Sequence, residues 1–214
     1  MEQSNRHRRW PEDLESFSHR VLTTLLFTDV VDSTGRVCEL GDRSWSEVLR
    51  THHARFRNRL AGFGGREVDA AGDGFLATFG IASHAVAFAC AFHDDVADLR
   101  LEVRTGVHTG ECELDDGRLR GVAVHVAARL ASLARPGEVL VSSTVRDVVS
   151  GSGLRFADRG VHELRGVPGI RRLFAARRSE SGALTRSGRQ GSRPAAGVTH
   201  RRRPERLVKS ADAG

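Results

Sequence analysis

Residues 21–34 read Val-Leu-Thr-Thr-Leu-Leu-Phe-Thr-Asp-Val-Val-Asp-Ser-Thr. Continuous apolar and β-branched content from Val21 to Val31 predicts a buried strand. The Asp32-Ser33-Thr34 that follows offers three residue types favoured at a helix N-cap, so the run reads as a strand turning into a helix. Asp29 then stands at a strand end. A second aspartate, Asp73, lies in Ala71-Gly72-Asp73-Gly74, a turn closing onto the apolar run Phe75 to Phe79. Strand ends and glycine turns aim short carboxylates outward, and hard carboxylate oxygens are the ligands Mg²⁺ and Mn²⁺ prefer. Two aspartates so placed are what a two-metal phosphoryl site requires.

Outward from this stretch, Trp45, Val48, Leu49, Phe56 and Leu60 recur at helical spacing, predicting a helix from Asp42 to about Leu60 that Gly62 ends. A hairpin follows, with arms at Glu67–Asp69 and Gly74–Phe79 and a turn over Ala70–Gly72. Ser83 to Leu99 reads as a second amphipathic helix, Leu101 to Glu113 as a strand, and Asp115-Asp116-Gly117 as a polar loop. A third helix runs from Gly121 to about Leu133 and stops before Pro136-Gly137. Glu138–Ser142 reads as a short strand, Thr144–Val149 as a short helix, and Phe156–Phe174 as two more strands. The order strand, helix, hairpin, helix, strand predicts an α+β fold with a ferredoxin-like βαββαβ core and extra C-terminal strands, its antiparallel-rich sheet carrying helices on one face.

The chain has 214 residues, enough for one domain with a real core. The reading divides it into a short polar segment over 1–20, a folded domain over 21–177 and an arginine-rich tail over 178–214, where disorder is expected. No segment approaches the roughly 18 to 20 apolar residues of a membrane span, and Met1–Arg20 lacks the apolar stretch of a signal peptide, so the expected location is cytoplasmic. Cys38, Cys90 and Cys112 have no metal-ligand or pairing spacing and read as small buried residues. The tail carries nine basic and three acidic residues, the whole of the +6 net charge. The sole lysine, Lys209, is also there, which excludes a P-loop from the folded part and leaves phosphate contacts to arginine. Ten histidines without a HExxH or paired-cysteine spacing give no zinc site, and His108 is expected to pack or hydrogen-bond within its strand.

Four ordered blocks, Phe27–Thr34, Gly72-Asp73-Gly74-Phe75, Gly106-Val107-His108-Thr109-Gly110 and Gly121–Arg129, resemble a class III nucleotidyl cyclase catalytic domain. The resemblance covers Val21 to Ala176. It implies a head-to-tail homodimer with shared active sites, cyclising a nucleoside triphosphate to the 3′,5′-cyclic monophosphate and pyrophosphate with two divalent ions, Mg²⁺ or Mn²⁺. On this resemblance the metal ligands are Asp29, Asp73 and the backbone carbonyl of Val30, and the amides of Val30, Val31, Asp32, Ser33 and Thr34 cradle the phosphates. Arg129 matches the arginine that stabilises charge on the α-phosphate, and planar guanidinium chemistry suits that task. Four residues earlier on the same helix face, the family's ribose-positioning asparagine is replaced by His125, which can still donate a hydrogen bond.

The base-reading positions depart further, since adenylyl-selective relatives place a lysine and an aspartate where this chain has Asp69 and Arg118. Both charges are reversed and the pair stays complementary. Asp69 could accept from an exocyclic amino group while Arg118 donates to the ring, a pattern that fits adenine or guanine, with ATP favoured. Three readings are thus open: an active cyclase; a catalytically silent cyclase-like domain that binds nucleotide or a partner; and a nucleic-acid binder working through Arg201-Arg202-Arg203, Arg206 and Lys209, whose segment lacks aromatic residues for base stacking.

Overall fold

β1, Arg20–Val30, is covered on both of its faces. Successive residues of a strand point to opposite sides. Leu26 and Val30 enter a core that contains Phe56, Phe75, Phe79, Phe88 and Phe92, while Leu25 packs with Cys112, Ala123 and Ala127. The computed structural model describes residues 20–115 and 118–177. The N-terminal segment, the tip of the Asp115–Gly117 loop and the arginine-rich tail, with the disorder and nucleic-acid binding expected of it, lie outside the described residues.

After β1 come α1 (Ser33–Leu40), α2 (Asp42–Gly62), β2 (Gly65–Ala71), β3 (Gly74–Phe79), α3 (Ala82–Asp95), β4 (Val103–Asp115), β5 (Arg118–Arg120), α4 (Val122–Leu133), β6 (Val139–Ser142), α5 (Ser143–Val148), β7 (Arg155–Glu163) and β8 (Ile170–Arg177). Among the described residues, eight strands form one sheet in the order β2-β3-β1-β4-β6-β8-β7, with β5 paired to β4. The first four strands give the ferredoxin-like order, antiparallel throughout. β6 then joins β4 in parallel. A parallel neighbour needs a crossover, which α4 supplies.

The expected fold class and its extra C-terminal strands are found. Three local features differ from the sequence reading. Ser33–Leu40 is a separate helix with no buried residue, cut from α2 by Gly41 at φ 76°. The helix expected to reach Leu99 ends at Asp95, with a single 3₁₀ turn at Ala97–Leu99 before Arg100 in the left-handed region. The helices also divide between the two faces: α2 and α3 share the phenylalanine-rich side, whereas α4 lies on the other against Leu25. Gly106 makes that second packing possible, because a methyl there would overlap the backbone of Ala127 and Ala131. The cysteines differ from expectation too: only Cys112 is buried, Cys38 is exposed, and Cys90 is intermediate. Among the described residues no helix is long and apolar enough to cross a membrane.

Candidate active site

Register brings the two aspartates to one end of the sheet. Thr28 of β1 pairs with Phe75 of β3, which puts Asp29, one residue on in β1, and Asp73, two residues back in the β2–β3 turn, at the same end of the sheet. The backbone amide of Phe75 also donates to Thr28 Oγ1 at 3.1 Å. Gly74 is pressed onto this strand, since a Cβ there would sit 2.8 Å from the Thr28 carbonyl oxygen. The strand end that carries Asp29 and the turn that carries Asp73 are therefore held together by the Thr28 hydroxyl and by close backbone approach at Gly74.

Asp29 lies opposite Arg104 in the β1–β4 register. Arg104 Nε donates to Asp29 Oδ2 at 2.7 Å, and its Nη2 forms an ion pair with the same oxygen. Both side chains are about one-third exposed, at 32% and 37%, a depth at which charge-assisted geometry holds a carboxylate in one orientation. Arg104 Nη1 reaches back to the Ser132 carbonyl in the last turn of α4 at 3.4 Å. Asp73 is held differently. Its Oδ2 is buried with no hydrogen-bond partner among the described residues, and a buried carboxylate oxygen left unpaired is costly.

Two histidines of α2 grip the backbone around Asp73. His52 Nε2 lies 3.3 Å from the Asp73 carbonyl and His53 Nε2 lies 3.0 Å from the Gly72 carbonyl. A carbonyl only accepts, so each Nε2 carries the proton. His52 is 0% exposed, and burial, then the neighbouring His53, lower its pKa from 6.5 to about 4 against the pull of the Asp73 carbonyl. It is neutral at pH 7.

At the exit of β1, Asp32 adopts φ 52° and accepts from the Gly35 amide at 3.3 Å, capping α1. Any side chain on Gly35 would collide with that carboxylate. The Val31 amide is committed to the Glu102 carbonyl at 2.8 Å. Of the amides expected to cradle phosphate, those of Ser33 and Thr34 in the first turn of α1 have no helical acceptor, as in any helix start. Val30 closes β1 opposite Val103.

His125 and Arg129 lie on the exposed face of α4, whose other face buries Ala123, Val126, Ala127, Leu130 and Ala131. Arg129 Nε donates to the Arg165 carbonyl in the β7–β8 loop at 3.1 Å, which leaves both terminal nitrogens of its guanidinium directed elsewhere. Leu164 and Val167 anchor this loop under Val126 and Leu130. Asp69 is exposed, faces the same side as Leu76 and Phe27, and accepts from its neighbour's amide, Ala70 N, at 2.9 Å. Arg118 pairs with Asp115 in β5, so β3, β1 and β4 separate its strand from that of Asp69.

The site residues thus fall into three groups, Asp29 and Asp73 at the β1/β3 end, the Asp32–Thr34 turn that follows β1, and His125 with Arg129 on the outside of α4, while Asp69 on β2 and Arg118 on β5 stand apart from each other. The sequence reading missed Arg104, His52 and His53. Arg104 carries no signal of its own, being defined by cross-strand register. His52 did carry one: Trp45, Leu49, His52, Phe56 and Leu60 follow helical spacing, so a histidine occupies an apolar stripe. His108 is buried, in keeping with the packing expected of it, and its hydrogen bond leaves the strand: Nδ1 lies 2.8 Å from Ser142 Oγ on β6.

The chain belongs to the adenylate and guanylate cyclase catalytic domain family, whose model matches residues 18–176. It is 32% identical over 186 residues to a pH-sensitive adenylate cyclase of Mycobacterium tuberculosis, an alignment covering 79% of this chain and 43% of that protein. The chain spans 27% to 43% of the length of the curated relatives it matches. Among solved structures, the adenylyl cyclase CyaB of P. aeruginosa superposes with a TM-score of 0.70 at 22% identity, covering 76% of this chain and 97% of that one. The guanylate cyclase domain of RhGC from Catenaria anguillulae, in complex with GTP, gives 0.68 at 18% identity, covering 75% and 98%. Both likenesses show the fold.

Proposed function

We propose that this chain is a metal-dependent nucleotidyl cyclase that converts a purine nucleoside triphosphate, ATP in preference, to its 3′,5′-cyclic monophosphate and pyrophosphate, as a source of cyclic nucleotide signal. The observation that carries this reading is the placement of Asp29 and a buried, unpartnered Asp73 Oδ2 at the same end of the paired strands β1 and β3. These residues fit divalent ions: an orphaned carboxylate oxygen is stabilised by a cation, and the set is all oxygen, as Mg²⁺ and Mn²⁺ require. Among the described residues no three His, Cys, Asp or Glu side chains converge as a metal group. The remaining ligands would be the Val30 carbonyl and phosphate oxygens of the substrate itself.

Two bound ions would supply Lewis acidity that acidifies the ribose 3′-hydroxyl and neutralises charge on the phosphates. The protein's own residues do the rest. Amides of Ser33 and Thr34 at the start of α1 donate to phosphate oxygens. Arg129, with Nε tied to the loop carbonyl, presents its terminal nitrogens to the α-phosphate as charge grows there. His125, one helical turn earlier, donates to the ribose. Asp69 and Arg118 read the base edge. The 3′-hydroxyl gives up its proton to water, its oxygen forms its bond to the α-phosphorus, the bond to the bridging oxygen breaks, and pyrophosphate leaves.

Asp29 bonds Arg104, which joins α4 at the Ser132 carbonyl, whereas Arg129 stands on the exposed face of α4 and bonds the Arg165 carbonyl. A head-to-tail homodimer, in which a second copy completes each site, is the assembly this favours. Product analysis with ATP or GTP plus Mn²⁺ tests the activity, and mixing tests the shared site. Asp29→Ala and Arg129→Ala should each be inactive alone and regain activity when combined, whereas a self-contained site would stay dead.

A second reading is a silent cyclase-like domain that binds nucleotide without turnover. The Arg104 ion pair on Asp29 and the replaced positions Asp69, Arg118 and His125 favour it. A folded parent that binds nucleotide and yields no cyclic product over a range of Mn²⁺ and Mg²⁺ would establish it.

A further inference from the structure

We infer that His53, backed by His52, is a positioning residue for Asp73, setting the distance and direction from which that carboxylate meets a cation. The proposal rests on reading Asp73 as a cation ligand. Two consecutive residues of α2 hold two consecutive carbonyls, those of Gly72 and Asp73, at 3.0 and 3.3 Å. Gly72 is in the left-handed region at φ 63°, so the turn has a backbone freedom that most residues lack. Hydrogen bonds from a rigid helix remove it.

The chemistry of the pair points to this task rather than to core filling alone. His52 is fully buried between Phe75 and Phe92, with ring centroids 5.7 and 5.2 Å away. An apolar side chain would fill that place without leaving a bare ring nitrogen, yet His52 Nδ1 is buried with no partner among the described residues. The chain thus tolerates one orphaned nitrogen in order to keep the Nε2–H bond to the Asp73 carbonyl. His53 is half-buried and stands edge-on to Phe75 at 4.8 Å. Its hydrogen bond to Gly72 is therefore separable from the core.

The pair acts at two points. The carbonyl bonds orient the Gly72–Asp73 and Asp73–Gly74 peptides, and these orient the Asp73 side chain between them. Contact of both rings with Phe75 links the grip to the residue whose amide is bound by Thr28, one position before Asp29. One helix face thereby references both aspartates to a common frame, as preorganised sites need.

The test uses the full chain with His53→Ala, His53→Gln and His52→Gln, since a glutamine amide nitrogen can replace the Nε2 donor. The first readout is hydrogen exchange of the Gly72–Gly74 amides in metal-free protein. The second is Mn²⁺ binding followed by electron paramagnetic resonance in the presence of α,β-methylene ATP, which cannot be cyclised. His53→Ala should speed exchange in the turn and raise the Mn²⁺ half-saturation, each by about tenfold, as one lost hydrogen bond predicts. Melting temperature and exchange in β4 should stay near those of the parent. His53→Gln should bring both values back to within about twofold, and His52→Gln should fall between. The proposal is overturned if His53→Ala leaves turn exchange and Mn²⁺ binding unchanged, or if the Gln variants fail to rescue while the melting temperature drops. A parent that binds no Mn²⁺ at all overturns the cation reading of Asp73 and this proposal with it, whatever the exchange data; a parent that binds it tightly with an unchanged His53→Ala overturns the proposal alone.

Discussion

Arg104 meets Asp29 across β1 and β4 and also reaches the Ser132 carbonyl at the end of α4. One guanidinium thus fastens a candidate metal carboxylate to the helix that carries His125 and Arg129. Arg104→Ala should lower kcat/KM by about 10- to 100-fold through the lost charge-assisted bonds. Arg104→Lys should recover only part of this, because a point charge cannot donate from two nitrogens in one plane. Steady-state kinetics decides the matter. An Arg104→Ala variant more active than the parent would instead make the pair a latch that holds Asp29 away from metal.

The closest packing between α4 and the sheet is at Gly106, where added atoms would meet backbone rather than a yielding side chain. Gly106→Ala should cost about 2 kcal/mol or more of stability, a typical overpacking penalty. Gly62 gives the contrast: it ends α2 with open space where a Cβ would go. Gly62→Ala should be neutral or stabilise by about 0.5 kcal/mol. Urea denaturation of both variants measures the difference.

Acid should weaken the fold in a defined window. Burial, reinforced by Arg171, lowers the His108 pKa from 6.5 to about 4, and burial does the same for His52. Between those values the unfolded chain takes up protons that the folded chain refuses. Stability is therefore full above about pH 6.5 and declines as pH falls toward 4. Each histidine contributes up to about 3 kcal/mol across that range. Asp158, held down to about 2 by Arg172, loses its contribution only at lower pH. His108→Gln can keep a hydrogen bond to Ser142 without gaining a proton, so its melting temperature should fall less steeply between pH 6.5 and 4.5.

Base choice should move when its readers are changed. Asp69→Asn exchanges an acceptor-only group for one that also donates, and Arg118→Ala removes a donor. Either should shift the ATP to GTP ratio of kcat/KM by about tenfold, the scale of one mispaired polar contact. Unchanged ratios and rates in both variants would remove the pair from substrate recognition.

β1 and β3 were legible because each is an apolar run, and α2 because it keeps its stripe. Of α1 only the start at Asp32-Ser33-Thr34 was legible, because Ser33–Leu40 buries no residue and so imprints no periodicity. β5 was not legible, two of its three residues being arginine. Asp29 was legible as a strand-end carboxylate and Asp73 by its flanking glycines, whereas Arg129 came from the resemblance to the cyclase family. Arg104 could not, since its role exists only once β4 is laid against β1 in the right register. His52 was readable in principle as a polar residue on an apolar stripe, but its partner is a carbonyl, and backbone partners leave no mark on sequence.

The elements of the site also differ in how firmly the fold holds them. The aspartates sit where β1 is bonded on both sides, whereas α1 has only Val37 and Leu40 resting on the core and a single aspartate cap at its start. Local opening is easiest where burial is least. On warming, the grip on triphosphate should therefore slacken well before the grip on metal, so that heat silences the protein through loss of nucleotide affinity while its sheet is still intact.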